Sequence, residues 1–217
     1  MDLKKKSWGE ITLNDYSRAM EIIDDEVMGD TEKDIALIAL LCEVDEQEIW
    51  NMNIEDVIEL KRKTMFLTTG FIPSNVNNFK RIKIGEWECE VLPDLQKMTY
   101  AQFMDFQTYI REKDKHGYPK NRAAILSTLL IPKGKKYCDG YDIIELQKAI
   151  GENVTILVYN AIWSFFLQRS GSLLKRIATS LAYKLKAMTF LMKKKNPLRA
   201  KYRELAETLM QARDFGG

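Results

Sequence analysis

Apolar residues recur at three- and four-residue spacing along most of this chain, and most of these runs begin behind a residue that can cap a helix. Thr12-Leu13-Asn14-Asp15 has the form of a capping box, a hydroxyl followed three residues later by an acidic group. Behind it Tyr16, Ala19, Met20, Ile23 and Val27 share a helical face, and Gly29-Asp30 breaks the run. Asp30 or Thr31 can cap a second helix, in which Ile35, Ile38, Leu41 and Cys42 align. Asp45 with Glu48 opens a short helix through Trp50. Asn53 caps a further helix carrying Ile54, Val57, Ile58, Leu60 and Met65.

The period then changes from helical to two. Residues 70–78, GFIPSNVNN, are turn-rich and mark the best boundary. Beyond them Phe79, Arg81 and Lys83 alternate with Lys80, Ile82 and Ile84, and Gly85-Glu86 can turn the chain into Trp87–Val91. That pattern predicts a β-hairpin. Helical spacing returns at Thr99-Tyr100-Ala101-Gln102, a second capping box, followed by Phe103, Phe106, Gln107 and Ile110. Ala123, Ala124, Leu126, Leu129 and Leu130 predict the next helix, closed before Pro132, and Asp142 with Glu145 caps another. Asn153 is expected to open the longest helix, running as far as Met192. Lys193-Lys194-Lys195-Asn196-Pro197 ends it, since cations suit a helix C-terminus and proline cannot extend the ladder. A final amphipathic helix, 198–213, carries Tyr202, Leu205, Leu209 and Met210.

These elements predict a mainly α fold, with helical halves flanking one small antiparallel β-hairpin, a long C-terminal helix and a terminal helical extension. The expected regions are an acidic helical part (1–70), a linker and hairpin (71–97), a helical part with a long core helix (98–192) and a basic terminal helix (193–217). The expected core anchors are Trp50, Phe103, Phe106, Trp163, Phe165 and Phe166. An internal echo runs through the pattern. The capping boxes start at Thr12 and Thr99, and Asp56-Val57-Ile58-Glu59-Leu60 resembles Asp142-Ile143-Ile144-Glu145-Leu146. Two related halves explain it, and so does chance reuse of helix-start chemistry.

Charge is divided along the chain although the total is only +2. Residues 10–60 hold sixteen Asp/Glu against two Lys/Arg, a net −14. Residues 169–217 hold twelve Lys/Arg against three Asp/Glu, a net +9. Poles of opposite sign steer association with a complementary surface, including that of a second copy, although two solvated helical faces also account for them. The candidate basic contacts are Lys175, Arg176, Lys184, Lys193, Lys194, Lys195, Arg199, Lys201 and Arg203. The candidate acidic contacts are Asp24, Asp25, Glu26, Asp45 and Glu46. The basic residues at helical spacing could also track phosphates, so nucleic acid stays open as a partner beside acidic protein.

Signals for chemistry are sparse. His116 is the sole histidine and sits in a polar loop, the usual setting of a surface histidine. No phosphate loop, dinucleotide fingerprint, HExxH or GxSxG occurs. Lys133-Gly134-Lys135-Lys136 could hold phosphate, but a solvated turn is the favoured reading. Cys42, Cys89 and Cys138 form no zinc spacing and are expected to be buried free thiols. No metal, cofactor or catalytic residue is expected. The charge-free run Asn153–Gln168 is shorter than the roughly 20 residues of a membrane span, so a buried core helix is expected instead.

Three stretches resemble a known class. MTYAQFMDFQTYI (98–110), AAILSTLLIPKGKKYCDGYD (123–142) and AIWSFFLQ (161–168), with ITLNDYSRAMEIID and EVDEQEIWNMNIEDVIEL in the front half, resemble small virion and tail-assembly proteins of tailed, crAss-like phages of Bacteroides-type hosts. The likeness spans roughly residues 11–185 and consists of helix caps and apolar positions; the basic extension 186–217 lies outside it. It implies a non-enzymatic protein that packs with other virion or tail proteins in a neck, ring or tail complex, as a ring-forming homo-oligomer. A transient tail-assembly chaperone and a nucleic-acid-binding packaging protein are the alternatives. The expected location is the virion, with assembly in the host cytoplasm.

Overall fold

The computed structural model describes residues 1–68, 80–113 and 119–170. The fold is mainly α with one small antiparallel sheet. Helix α1 (Leu13–Asp24) starts at the expected box: Thr12 Oγ1 accepts the Asp15 N–H at 3.2 Å and the Asp15 carboxylate accepts the Thr12 N–H at 3.0 Å. Helix α2 (Asp30–Cys42) is capped one residue earlier than expected. Gly29 holds the cap position and the Glu32 carboxylate accepts its N–H at 2.8 Å, so Asp30 and Thr31 are helical. Asp30 there lies in the first turn, where exposed N–H groups favour a negative charge. Helix α3 (Glu46–Trp50) is capped by Asp45, which accepts the Gln47 N–H at 2.8 Å. Helix α4 (Ile54–Thr64) follows Asn53 and buries Leu60 and Thr64.

Strands β1 (Arg81–Ile84) and β2 (Trp87–Val91) form the expected hairpin, pairing Arg81 with Glu90 and Ile84 with Trp87. Gly85 takes φ +54°, the left-handed conformation that a two-residue hairpin loop demands and glycine supplies without strain. Helix α5 (Tyr100–Arg111) begins at the second box, with Thr99 and Gln102 reciprocally bonded. Helix α6 (Arg122–Leu129) stops sooner than its apolar run suggests. Leu130–Pro132 form strand β3, which pairs antiparallel with β2 in the register Val91 to Leu130 and Cys89 to Pro132. The sheet therefore has three strands in the order β1-β2-β3, not a hairpin alone. Pro132, which has no N–H to give, is tolerated because β3 is an edge strand.

Helix α7 (Ile143–Asn153) is capped by Asp142, whose Oδ1 accepts the Ile144 and Glu145 N–H groups. Asn153 closes α7 instead of opening the next helix, its amide donating to the Ala149 carbonyl at 2.9 Å. Val154 and Thr155 are non-helical, and helix α8 occupies residues 156–170. Its expected continuation to Met192, the terminal helix 198–213 and the loop holding His116 lie outside the described residues.

The chain divides into two compact units. The first comprises residues 1–92 and 96–164, and contains α1 to α7 and the sheet. Within it α1 packs on α2 and α2 on α3 and α4; α5 packs on α6 and α6 on α7; α1 meets α7. Ile38, Leu41, Ile125, Leu126, Leu129, Leu146 and Ile150 are fully buried at its centre, each stabilising the fold by roughly 1.5–3 kcal/mol. The N-terminal segment belongs to this core. Leu3 and Ile11 are buried, the Lys4 and Lys5 N–H groups both donate to the Leu41 carbonyl, and Trp8 sets its ring edge-on to Phe66 at 5.6 Å. The second unit comprises residues 93–95 and 165–217; Phe165 and Phe166 are buried, and the Arg169 guanidinium stands 4.9 Å from the Phe165 ring centre.

The echo in the sequence has a structural counterpart. Leu13–Asp24 and Tyr100–Arg111 are offset by 87 residues at both ends, and α2 and α6 end at Cys42 and Leu129 with the same offset. Ala19 and Phe106 are both buried, as are Ile38 with Ile125 and Cys42 with Leu129. In α4 and α7 Leu60 and Leu146 are buried while Ile58 and Ile144 are exposed. Helix α1 matches α5, α2 matches α6 and α4 matches α7 in packing order and in these buried positions, with the short α3 present in the first half alone.

Of the six expected core anchors, Phe106, Phe165 and Phe166 are buried, and Phe103 and Trp163 are partly so. Trp50 is not: it is 51% exposed. Successive helical residues point about 100° apart, so a single-turn helix that seats Ile49 in the core must turn Trp50 outward.

Candidate interaction surface

The acidic residues of the front half lie on two separate patches. Asp24 ends α1 and Asp25 and Glu26 follow it, beside the start of α2, where Lys33 Nζ donates to the Ile23 carbonyl. Asp45 and Glu46 stand beyond the other end of α2, about 20 Å away at 1.5 Å per residue. The structure therefore does not bring the five acidic contact candidates together. Two of them also serve the backbone: Asp25 Oδ1 accepts the Val27 and Met28 N–H groups, and Asp45 caps α3. The turn chemistry at 25–28 was the signal that sequence reading passed over.

A groove of about 650 Å³ opens beside α1, α2 and α3. Ile22, Ala36, Ala39, Leu40 and Val44 give it an apolar lining, and Asp45, Glu46 and Glu48 give it an acidic one. Lys5 and Arg18 are the cations in it. Lys5 Nζ lies 2.8 Å from Asp15 Oδ2 and 3.0 Å from Glu43 Oε1. Burial works against the Lys5 charge, but these two carboxylates outweigh it and raise the Lys5 pKa. Burial likewise opposes ionisation of Asp15, yet hydrogen bonds from Lys5 and Thr12 hold its carboxyl below the ordinary value. Glu43, at φ +55°, is one of two non-glycine residues in the left-handed region among the described residues. It closes α2, and hydrogen bonds from Lys5 and Lys4 lower its pKa.

The adjoining surface of α3 and α4 is more unusual. Trp50, Ile54 and Ile58 are 51%, 75% and 51% exposed. Four-residue spacing sets Ile54 and Ile58 one above the other on α4, with Trp50 just ahead at the end of α3. Glu55 and Asp56 stand beside them in the first turn, and Lys61, Arg62 and Lys63 occupy the last. Lys61 pairs with Asp34, and Lys63 Nζ lies 2.8 Å from Glu59 Oε1. Helix α4 thus has a buried face and a second apolar line toward solvent, with charge changing sign along its length. Sequence reading assigned Ile54, Ile58 and Trp50 to packing. The inward face of α4 is held by Leu60 and Thr64, which are buried, with Val57 half-buried beside them.

The other expected features separate. Lys175, Arg176, Lys184, Lys193, Lys194, Lys195, Arg199, Lys201 and Arg203 lie outside the described residues. In the loop after β3, Lys133 Nζ pairs with Glu88 at 2.9 Å and the Asp139 N–H donates to the Lys136 carbonyl at 3.0 Å, while Gly134 turns the chain at φ +74°. Cys42 and Cys89 are buried, and burial pushes the Cys89 thiol up to about 11. Cys138 is exposed, contrary to the expectation for all three; it sits at φ +55° in a turn that carries it outward. Among the described residues no three His, Cys, Asp or Glu side chains cluster as metal ligands, and no helix is long and apolar enough to cross a membrane. Comparison of the chain with protein-family models, with curated proteins and with solved structures finds no match.

Proposed function

We propose that the chain is a non-enzymatic structural subunit of a tailed-phage virion, packing in a neck, ring or tail complex through protein–protein contacts. The observation that carries the assembly reading is the pair Ile54 and Ile58, exposed on one face of α4 in the acidic half, with Trp50 also exposed at the end of α3. Helix α4 already faces the core with Leu60 and Thr64 and has no folding reason to place two isoleucines in water, and apolar patches of this kind are covered by association. The phage setting rests on the resemblance of residues 98–110, 123–142 and 161–168 to small virion and tail-assembly proteins. The division of charge along the chain supports oriented contact between subunits.

The test is gradient fractionation of infected cells with an antibody to this chain. A virion subunit sediments with finished particles at fixed stoichiometry. Presence with tail precursors and absence from particles shows the transient chaperone instead. Presence in neither overturns the reading.

A further inference from the structure

We propose that α5 of one copy of this chain packs on α4 of a second copy, repeating between copies the contact that α1 makes with α7 inside each one. The inference rests on the assembly reading above and names the partner of the exposed α4 surface.

The chain contains its own example of the joint. Helix α5 is the counterpart of α1 at an offset of 87 residues, and α7 is the counterpart of α4 at the 86 residues that separate Leu60 from Leu146. Inside the chain α1 lies on α7. Leu13 is buried, and its N–H donates to the Val154 carbonyl at 2.9 Å. Asn14 stands so close over Gly151 that any side chain there would strike its amide. Ser17 shares a cleft with Gln147. The contact joins unlike faces of the two halves, so one face of each kind is left over. No comparable pairing joins α5 to α4 within the chain.

Both leftover faces are open and largely apolar. The counterparts of Leu13, Asn14 and Ser17 are Tyr100, Ala101 and Met104. All three are exposed, Tyr100 by 78% and Met104 by 44%. The counterparts of Gln147 and Gly151 are Lys61 and Met65. Met65 follows directly on α4 in helical conformation and is 57% exposed. Ile54, Ile58, Lys61 and Met65 fall at four-, three- and four-residue steps, which sets them on one stripe. The Lys61 ammonium pairs with Asp34, leaving its methylene stem to that stripe. Size is complementary too: α1 sets Asn14 over a glycine, and α5 offers the smaller Ala101 to the larger Met65. The α7 of each copy is already covered by its own α1, so α4 is the face that remains for an incoming α5.

Each copy then has one giving face and one receiving face. Such a contact is heterologous and generates a closed ring or an open stack according to its rotation.

The experiment is sedimentation velocity on the full chain with two variants, Ile58→Glu/Met65→Glu on α4 and Tyr100→Glu/Met104→Glu on α5. Both alter only exposed side chains, and circular dichroism confirms that each is folded. The expected result is an oligomeric wild type and two variants whose association is at least tenfold weaker. An equimolar mixture of the variants then forms a dimer and nothing larger, because one intact α4 meets one intact α5. Register is tested by cysteines at the positions matching Asn14 and Gly151, in a Cys138→Ser background. With diamide as oxidant, a mixture of Ala101→Cys and Met65→Cys chains is expected to give a disulfide-linked dimer that neither chain gives alone. Absence of that dimer overturns the pairing. Oligomers that persist in both glutamate variants overturn the proposal and leave the assembly reading standing. A variant that still dimerises by itself overturns it also, since like faces then meet, as do variants that stay monomeric on mixing. A monomeric wild type overturns the docking, and one that is also missing from particles overturns the assembly reading itself.

Discussion

Asp15 and Gln102 hold the same place in two helices 87 residues apart, and each faces two ways. Both accept the backbone N–H of the capping threonine, at 3.0 and 2.9 Å. Beyond that bond they diverge. The Asp15 carboxylate meets the Lys5 ammonium at 2.8 Å, whereas Gln102 Nε2 donates to the Thr128 carbonyl at 3.1 Å. One half pins its first helix to the N-terminal segment by charge, and the other pins it to the neighbouring helix by a neutral bond.

The charged version is sensitive to pH. Asp15→Asn keeps an acceptor for Thr12 and removes the ion pair. The folded-state pKa of Asp15 is lowered, so its stabilisation is present above the unfolded value and lost as pH falls through the folded one. That of Lys5 is raised, so its stabilisation is present below the unfolded value and lost as pH rises through the folded one. The urea midpoints of wild type and Asp15→Asn should differ most between roughly pH 5 and 9, and converge at both extremes. A difference independent of pH would show that the pair contributes nothing.

The neutral version is a matter of satisfied valence. The helical donor for the Thr128 carbonyl would be residue 132, which is proline and has no N–H. Gln102, itself buried, supplies the missing donor. Gln102→Ala is expected to lower stability by about 1–3 kcal/mol, the usual cost of a buried unpaired carbonyl. Gln102→Glu should be at least as damaging near neutral pH, because a carboxylate would face that carbonyl. Urea unfolding of both variants decides the point; equal stability to wild type contradicts it.

The N-terminal segment is structural. Leu3 is only 2% exposed, and the Lys4 and Lys5 N–H groups share the Leu41 carbonyl. Leu3→Asp should cost about 3 kcal/mol, through lost burial and an unpaired charge. An exposed-segment reading predicts no change in melting temperature.

Thiol chemistry separates the three cysteines. In the folded protein a thiol reagent should modify Cys138 and spare Cys42 and Cys89, which are closed off by burial. Denaturant should release the other two. Rapid modification of Cys89 in the native state would contradict its position in β2.

If the basic residues 175–203 serve protein contact, Lys193→Glu/Lys194→Glu/Lys195→Glu should alter the salt dependence of self-association. A packaging role predicts duplex DNA binding with a steep logarithmic salt slope that the same changes abolish.

Most helix starts were legible, because caps are local. Thr12, Asp45, Thr99 and Asp142 each act within three residues of themselves. What escaped depends on distant partners. Leu130 and Ile131 continue an apolar helical run, and only β2, forty residues away, draws them into a strand. The boundary at Asn153 was legible, but Asn153 closes α7 and the next helix opens only at residue 156. That gap is set by the Leu13 N–H on the Val154 carbonyl and the Ile156 N–H on the Ile11 carbonyl, both 2.9 Å. The acidic character of the candidate surface was visible, but its apolar line was not. Ile49 and Trp50 are equally hydrophobic neighbours, and packing against α2 decides which one turns inward.

Native mass spectrometry of the intact 25.2 kDa chain tests the assembly claim most directly. The account predicts a discrete multiple of that mass at micromolar concentration, lost on Ile54→Glu/Ile58→Glu. A spectrum containing only the single chain, unchanged by the substitutions, would contradict it.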